Sequence, residues 1–164
     1  MTEAAPGGPI LFVCTGNTCR SPLAAALATQ TLARQSAAPP VASAGLSAVE
    51  DEPATSAALT VGREAGLDLE SHRTRLLTRP MVLEARLVLT MSARQLDFIR
   101  VLAPEAAERV HTLRAYATRG VQTADVRDPF GGELEGYRRT RDELRELVER
   151  SLLRWFEEAA SPRR

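Results

Sequence analysis

The chain has 164 residues, 44% hydrophobic and 26% charged, which describes one ordinary globular domain with enough material for a core free of disulfide or metal staples. Its 21 basic and 21 acidic residues cancel, so a broad basic surface for nucleic acid is excluded. Every basic residue is Arg, which removes lysine Schiff bases, a lysine general base and a Walker-type phosphate loop.

Residues 1–8 are Gly- and Pro-containing and lack an apolar signal core, so they read as a flexible N-terminal segment ahead of a single domain over residues 9–160. Residues 10–13 form a short apolar run bounded by Pro9 and a polar segment, the pattern of a buried strand entering a loop. Ser21-Pro22 then opens an Ala/Leu-rich helix to about residue 35, with Ser21 as N-cap and Pro22 at the first helical position. After Pro39-Pro40, residues 41–45 read as a second strand and residues 55–65 as a helix stopped by Gly66. Residues 72–80 read as a polar connection. Its arginines suit a solvated loop, with docking of acidic protein surfaces as the alternative. Residues 87–90 are the clearest later strand, residues 92–101 a short helix, and residues 110–113 a fourth strand. Residues 118–132 form a long polar loop, and long ordered loops usually carry function.

The final segment, residues 134–158, places Tyr137, Leu144, Leu147, Val148, Leu152, Trp155 and Phe156 at helical spacing. This stripe packs on a core, while flanking charges such as Glu143 make a solvated face. No run approaches the roughly 18 apolar residues of a membrane span, so no membrane contact is expected. Strands alternating with helices imply a parallel α/β sheet covered on both faces. Ligands bind such sheets beyond the carboxyl ends of the strands, where Cys14 sits.

The chemistry lies in Cys14-Thr15-Gly16-Asn17-Thr18-Cys19-Arg20-Ser21, between the first strand and the first helix. Backbone N–H groups in such a loop converge on one anion, and the helix N-terminus adds positive charge. Arg20 supplies a planar bidentate donor for phosphate oxygens. Gly16 and Asn17 tolerate the positive φ of a tight cradle. The same field favours a Cys14 thiolate aimed at the bound anion, with Ser21 donating a hydrogen bond to it. A Cys after a strand is more often a small buried hydrophobe. The Arg at the sixth following position and the adjoining helix start favour the nucleophile. With only Cys14, Cys19, His72 and His111 available, no metal site is expected, and no cofactor is required. The expected compartment is the reducing cytoplasm.

The stretch Val13-Cys14-Thr15-Gly16-Asn17-Thr18-Cys19-Arg20-Ser21-Pro22 closely resembles the signature of the low-molecular-weight protein tyrosine phosphatase family, and Asp128-Pro129-Phe130-Gly131-Gly132 resembles its general-acid loop. The resemblance spans roughly residues 9–158. It implies a three-layer α/β sandwich with a four-stranded parallel sheet flanked by helices. It also implies Cys14 as nucleophile, Arg20 as phosphate and transition-state binder, and Asp128 as general acid. Asp125 is the local rival for that last role but lacks the following Pro. Asn17 and Ser43 resemble the family's loop-shaping hydrogen-bonding pair and His72 its supporting histidine; each also reads as an ordinary polar turn residue. Cys19 has two readings, a packed small residue or a resolving thiol that shields Cys14 from over-oxidation.

Thr18 and the Phe130-Gly131 pair resemble the bacterial protein-arginine phosphatase branch. Tyrosine-directed members often carry a bulky aliphatic residue at the position of Thr18 and an aromatic pair after Asp-Pro. The expected substrate is therefore a protein phosphorylated on arginine, with phosphotyrosine as the alternative. Phosphate and other oxyanions are expected in the loop. Two further classes share parts of the pattern. An arsenate reductase using an external thiol fits the loop, and the other is a catalytically dead phosphate-binding module, against which the intact Cys14, Arg20 and Asp128 argue.

Overall fold

The computed structural model describes residues 7–161, so the expected flexible segment lies outside the described residues except for Gly7 and Gly8. Both of those accept at their carbonyls from the Arg86 guanidinium. Four parallel strands, β1 (Ile10–Cys14), β2 (Val41–Gly45), β3 (Leu87–Thr90) and β4 (Val110–Thr112), form one sheet in the order β2-β1-β3-β4. β1 is central and buried along its whole length, which explains its unbroken apolar run. Side chains alternate across it. Ile10, Phe12 and Cys14 enter one core, and Leu11 and Val13 enter the other.

The first core is closed by α1 (Arg20–Leu32), α2 (Ser56–Glu64), α5 (Leu113–Ala117) and α6 (Leu134–Ala160). Phe12, Leu23 and Leu27 are almost wholly buried there, each worth about 2 kcal/mol of apolar burial. The second core is closed by α3 (Arg79–Glu84), α4 (Ala93–Leu102) and a 3-10 turn at Pro104–Arg109, through Val82, Ile99 and Ala106. The result is the expected three-layer α/β sandwich. The strand order reverses direction around β1, and this switch point opens a crevice at the end of β1, directly at Cys14.

The structure departs from the sequence reading at several ends. α1 begins at Arg20 behind Cys19, so Ser21 lies inside the first turn and is not the N-cap. Its hydroxyl turns into the loop instead. α1 also ends at Leu32, three residues before the expected end. α3 falls partly in the expected polar connection, started by the Thr78 side chain, which accepts from the Met81 N–H, and by Pro80 in its first turn. α5 takes over Leu113 from the expected fourth strand, capped by Thr112. Both helices are too short to show a period. Glu143 is not simply solvated, because it pairs with Arg114. The α6 stripe packs as expected, with Tyr137, Leu144, Leu147, Val148 and Leu152 buried.

Candidate active site

The loop from β1 into α1 is held open by one residue. Asn17 is fully buried and takes φ 58°, the left-handed region that asparagine tolerates better than most residues. The expected Gly16 does not take positive φ; Asn17 alone makes the reversal. Asn17 Nδ2 donates to Ser21 Oγ at 2.8 Å and to Ser43 Oγ at 3.0 Å. Its Oδ1 accepts from the Arg75 backbone N–H at 2.9 Å, which settles the orientation of the amide. Its backbone carbonyl lies 2.8 Å from His72 Nε2, so that nitrogen carries the proton. Burial pulls His72 below the usual imidazole range, which keeps the ring neutral as this donor.

The Asn17 N–H points at Cys14 Sγ from 3.2 Å, and Ser21 Oγ is 2.9 Å from the same sulfur. Ser21 Oγ already accepts from Asn17, so its own proton is free for the sulfur. Two donors thus converge on Cys14, which is 2% exposed at the floor of the loop. Thr15 and Thr18 stand on the rim, and Gln95 Nε2 donates to Thr15 Oγ1 at 3.2 Å. A Cβ built on Gly45 would stand 2.6 Å from the Thr15 carbonyl and 2.9 Å from the Asn17 nitrogen. Only glycine lets β2 lie this close behind the loop.

Arg20 is buried against the loop, with Nη1 donating to the Val126 carbonyl at 3.0 Å and Nη2 3.4 Å from Asp128 Oδ2. The structure therefore separates the two aspartates. Asp128 faces Arg20, while Asp125 Oδ1 accepts from the Ala93 N–H at 2.9 Å at the start of α4. The Asp128 side chain is 51% exposed, so this ion pair adds little to stability. Its Oδ1 also accepts from the Phe130 N–H at 3.1 Å, a local turn that bends the loop toward the cleft. Phe130 stands 69% exposed at the mouth.

Together these groups bound a cleft of about 190 Å³, lined by residues 14–16 and 18–20 with Asp128 and Phe130. A roomier cleft of about 750 Å³ lies behind the loop, between α1, β2 and residues 66–75. Only the small one exposes the Cys14 and Arg20 side chains, and a tetrahedral anion needs a tight cradle. Cys19 points away into the core, 3.5 Å from Thr55 Oγ1 and 3.6 Å from the Tyr137 hydroxyl. Burial and the neighbouring Cys19 push the Tyr137 phenol up, so it stays protonated. Both cysteines are free thiols. Among the described residues no cluster of three His, Cys, Asp or Glu is placed to hold a metal, and no helix is long and apolar enough to cross a membrane.

Arg75, Gly45, Gln95, Thr55 and Tyr137 were not legible as site residues in the sequence. Each acts through a backbone group or a chain-distant contact. The one available signal was Gly45 closing the second strand.

Residues 9–160 match the family model for low molecular weight phosphotyrosine protein phosphatase. A protein-arginine-phosphatase of Geobacillus stearothermophilus is 42% identical over 141 residues, covering 86% of this chain and 91% of that protein. A Cys-to-Ser mutant of YwlE arginine phosphatase with a phosphorylated active site serine superposes with a TM-score of 0.85 at 37% identity, covering 93% of this chain and 97% of its own. A low molecular weight protein tyrosine phosphatase from T. tengcongensis follows with a TM-score of 0.82 at 34% identity, covering 89% and 98%. This chain belongs to the low molecular weight phosphotyrosine protein phosphatase family.

Proposed function

We propose that the protein is a cysteine-dependent phosphatase that removes phosphate from arginine side chains of proteins. The observation that carries the reading is Cys14 Sγ at the floor of an anion-shaped loop, met by two donors and facing the Arg20–Asp128 pair across the cleft. The Cys14 thiolate attacks phosphorus while Arg20 and the loop N–H groups hold the phosphoryl oxygens. The P–N bond breaks, Asp128 delivers its proton to the leaving guanidine nitrogen, and a cysteinyl-phosphate remains. The Asp128 carboxylate then takes a proton from water as water attacks phosphorus. The S–P bond breaks, Ser21 stabilises the departing thiolate, and inorganic phosphate leaves. A relative whose active site serine carries phosphate supports a covalent intermediate on the equivalent residue.

Thr18 and the protein-arginine-phosphatase relative support arginine as the substrate residue. The Thr18 hydroxyl at the rim offers a planar guanidinium an acceptor that an aliphatic side chain lacks, and Phe130 walls the mouth. Phosphotyrosine is the second reading, favoured by the tyrosine phosphatase relative and by the fit of Phe130 to a phenol ring. A cysteine nucleophile suits the reducing cytoplasm, where Cys14 stays active. The test is kcat/KM on matched phosphoarginine and phosphotyrosine peptides, where a tyrosine preference overturns the arginine reading. Thr18→Ile should move the ratio toward tyrosine, and an unchanged ratio removes Thr18 as the determinant. Thiol oxidation that depends on arsenate would point instead to a reductase.

A further inference from the structure

The loop that carries Asp128 is anchored at three consecutive residues just before it. The Ala124 carbonyl accepts from Arg114 Nε at 2.8 Å. Asp125 Oδ1 accepts from the Ala93 N–H at 2.9 Å. The Val126 N–H donates to the Met91 carbonyl at 2.8 Å, and the Val126 carbonyl accepts from Arg20. Arg127 and Asp128 follow, both exposed. Among these anchors, Asp125 is the one made by a side chain of the stem itself.

The Ala93 N–H belongs to the turn from β3 into α4, which is also tied to the nucleophile loop. Gln95, 3% exposed, accepts at Oε1 from the Met91 and Ser92 N–H groups at 2.9 and 3.0 Å and donates from Nε2 to Thr15 Oγ1. The Met91 N–H reaches the Val13 carbonyl as well, one residue before Cys14. One short turn therefore touches both halves of the cleft. It meets the residues flanking Cys14 on one side and the stem of the Asp128 loop on the other.

We infer that Asp125 is a positioning residue for the proton-transfer step: by holding the start of α4, it sets Asp128 over the leaving group relative to Cys14. The inference rests on Asp128 as proton donor, as proposed above. Asp125 touches no reacting atom. Its carboxylate satisfies a first-turn N–H of α4 and is favoured there by the helix dipole. Without it, the stem keeps only its backbone and Arg anchors, and Asp128 spends less time at the leaving atom.

The test compares kcat/KM on two aryl phosphates. Phenyl phosphate needs a proton on its leaving oxygen, whereas dinitrophenyl phosphate leaves without one. Asp125→Ala should lower kcat/KM on phenyl phosphate by about fivefold, the factor one helix-end cap carries, and leave dinitrophenyl phosphate nearly unchanged. Asp125→Asn keeps the Oδ1 acceptor and should restore most of the loss. In an Asp128→Asn background, Asp125→Ala should cost nothing further, because the group it positions is gone. An equal loss on both substrates, or no loss on either, overturns the inference. Failure of the proton-donor reading itself shows separately. If Asp128→Asn alone affects both substrates alike, that reading falls and the inference with it; if Asp128→Asn is selective and Asp125→Ala is not, only the inference falls.

Discussion

Replacing Asn17 by Ala should disorganise the phosphate cradle while leaving the protein folded. The substitution deletes three side-chain hydrogen bonds, to Ser21, Ser43 and the Arg75 N–H. At about 1 kcal/mol net for each, the network is worth about 3 kcal/mol. Alanine at φ 58° adds about 1 kcal/mol of backbone cost. The sum, about 4 kcal/mol, stays below the roughly 5–15 kcal/mol by which domains of this kind are stable, so the chain still folds at room temperature. If the network cost falls on the loop alone, inorganic phosphate binds up to about a hundredfold more weakly. The informative comparison is Asn17→Gly, which removes the same hydrogen bonds and relieves the backbone. In a regular helix, glycine is less stable than alanine by 0.5–1 kcal/mol; at this φ the order should reverse. Urea unfolding of the wild type and both variants, each with and without saturating phosphate, measures the two terms separately. A glycine variant less stable than the alanine variant refutes the backbone argument. If both variants lie within about 0.5 kcal/mol of wild type, the network argument is refuted as well.

Three other outcomes follow from the same geometry. Cys14→Ser should abolish turnover and keep phosphate binding, checked by stopped assays beside calorimetry; near-wild-type turnover would exclude the thiolate route. Gly45→Ala should push the loop out of register, because its Cβ meets backbone atoms of Thr15 and Asn17. It should keep the circular dichroism of the wild type and lose most phosphate affinity, at a stability cost of about 1–3 kcal/mol. Stability should fall on acidification below about pH 6.5, because burial lowers both His72 and His111 in the folded state. The unfolded chain takes up those protons first, at about its ordinary imidazole value, so stability is full above that value and is lost as pH falls toward the folded ones. Urea midpoints between pH 5 and 8 test this; His72→Gln should flatten the slope, and a slope of the opposite sign would contradict the assignment.

What the sequence determined by itself is local. Strand, loop and helix follow one another within residues 10–32, and the anion cradle is a property of that short contiguous stretch, because backbone N–H groups, helix dipole and Arg20 act over one turn. The parallel α/β class was legible for the same reason, since apolar runs and periodic helices each declare themselves over a few residues. The short helices α3 and α5 were not, because six and five residues do not complete a recognisable period. Ser21 was legible in one of its two roles: the expected helix cap is absent, whereas its expected hydroxyl contact with Cys14 is present at 2.9 Å, held in the loop by the Asn17 amide that donates to it. The following Pro already favoured Asp128 over Asp125 in the sequence, and the tertiary structure added what packing brings near each: the Ala93 N–H for Asp125, Arg20 for Asp128. Ser43 and His72 entered the sequence reading only through the family resemblance, and Arg75 not at all; the tertiary structure shows all three, 26 to 58 residues away from Asn17, converging on that one side chain and its carbonyl. Hydrogen bonds across such separations exist only after the sheet has assembled, so no reading of a local pattern could specify them.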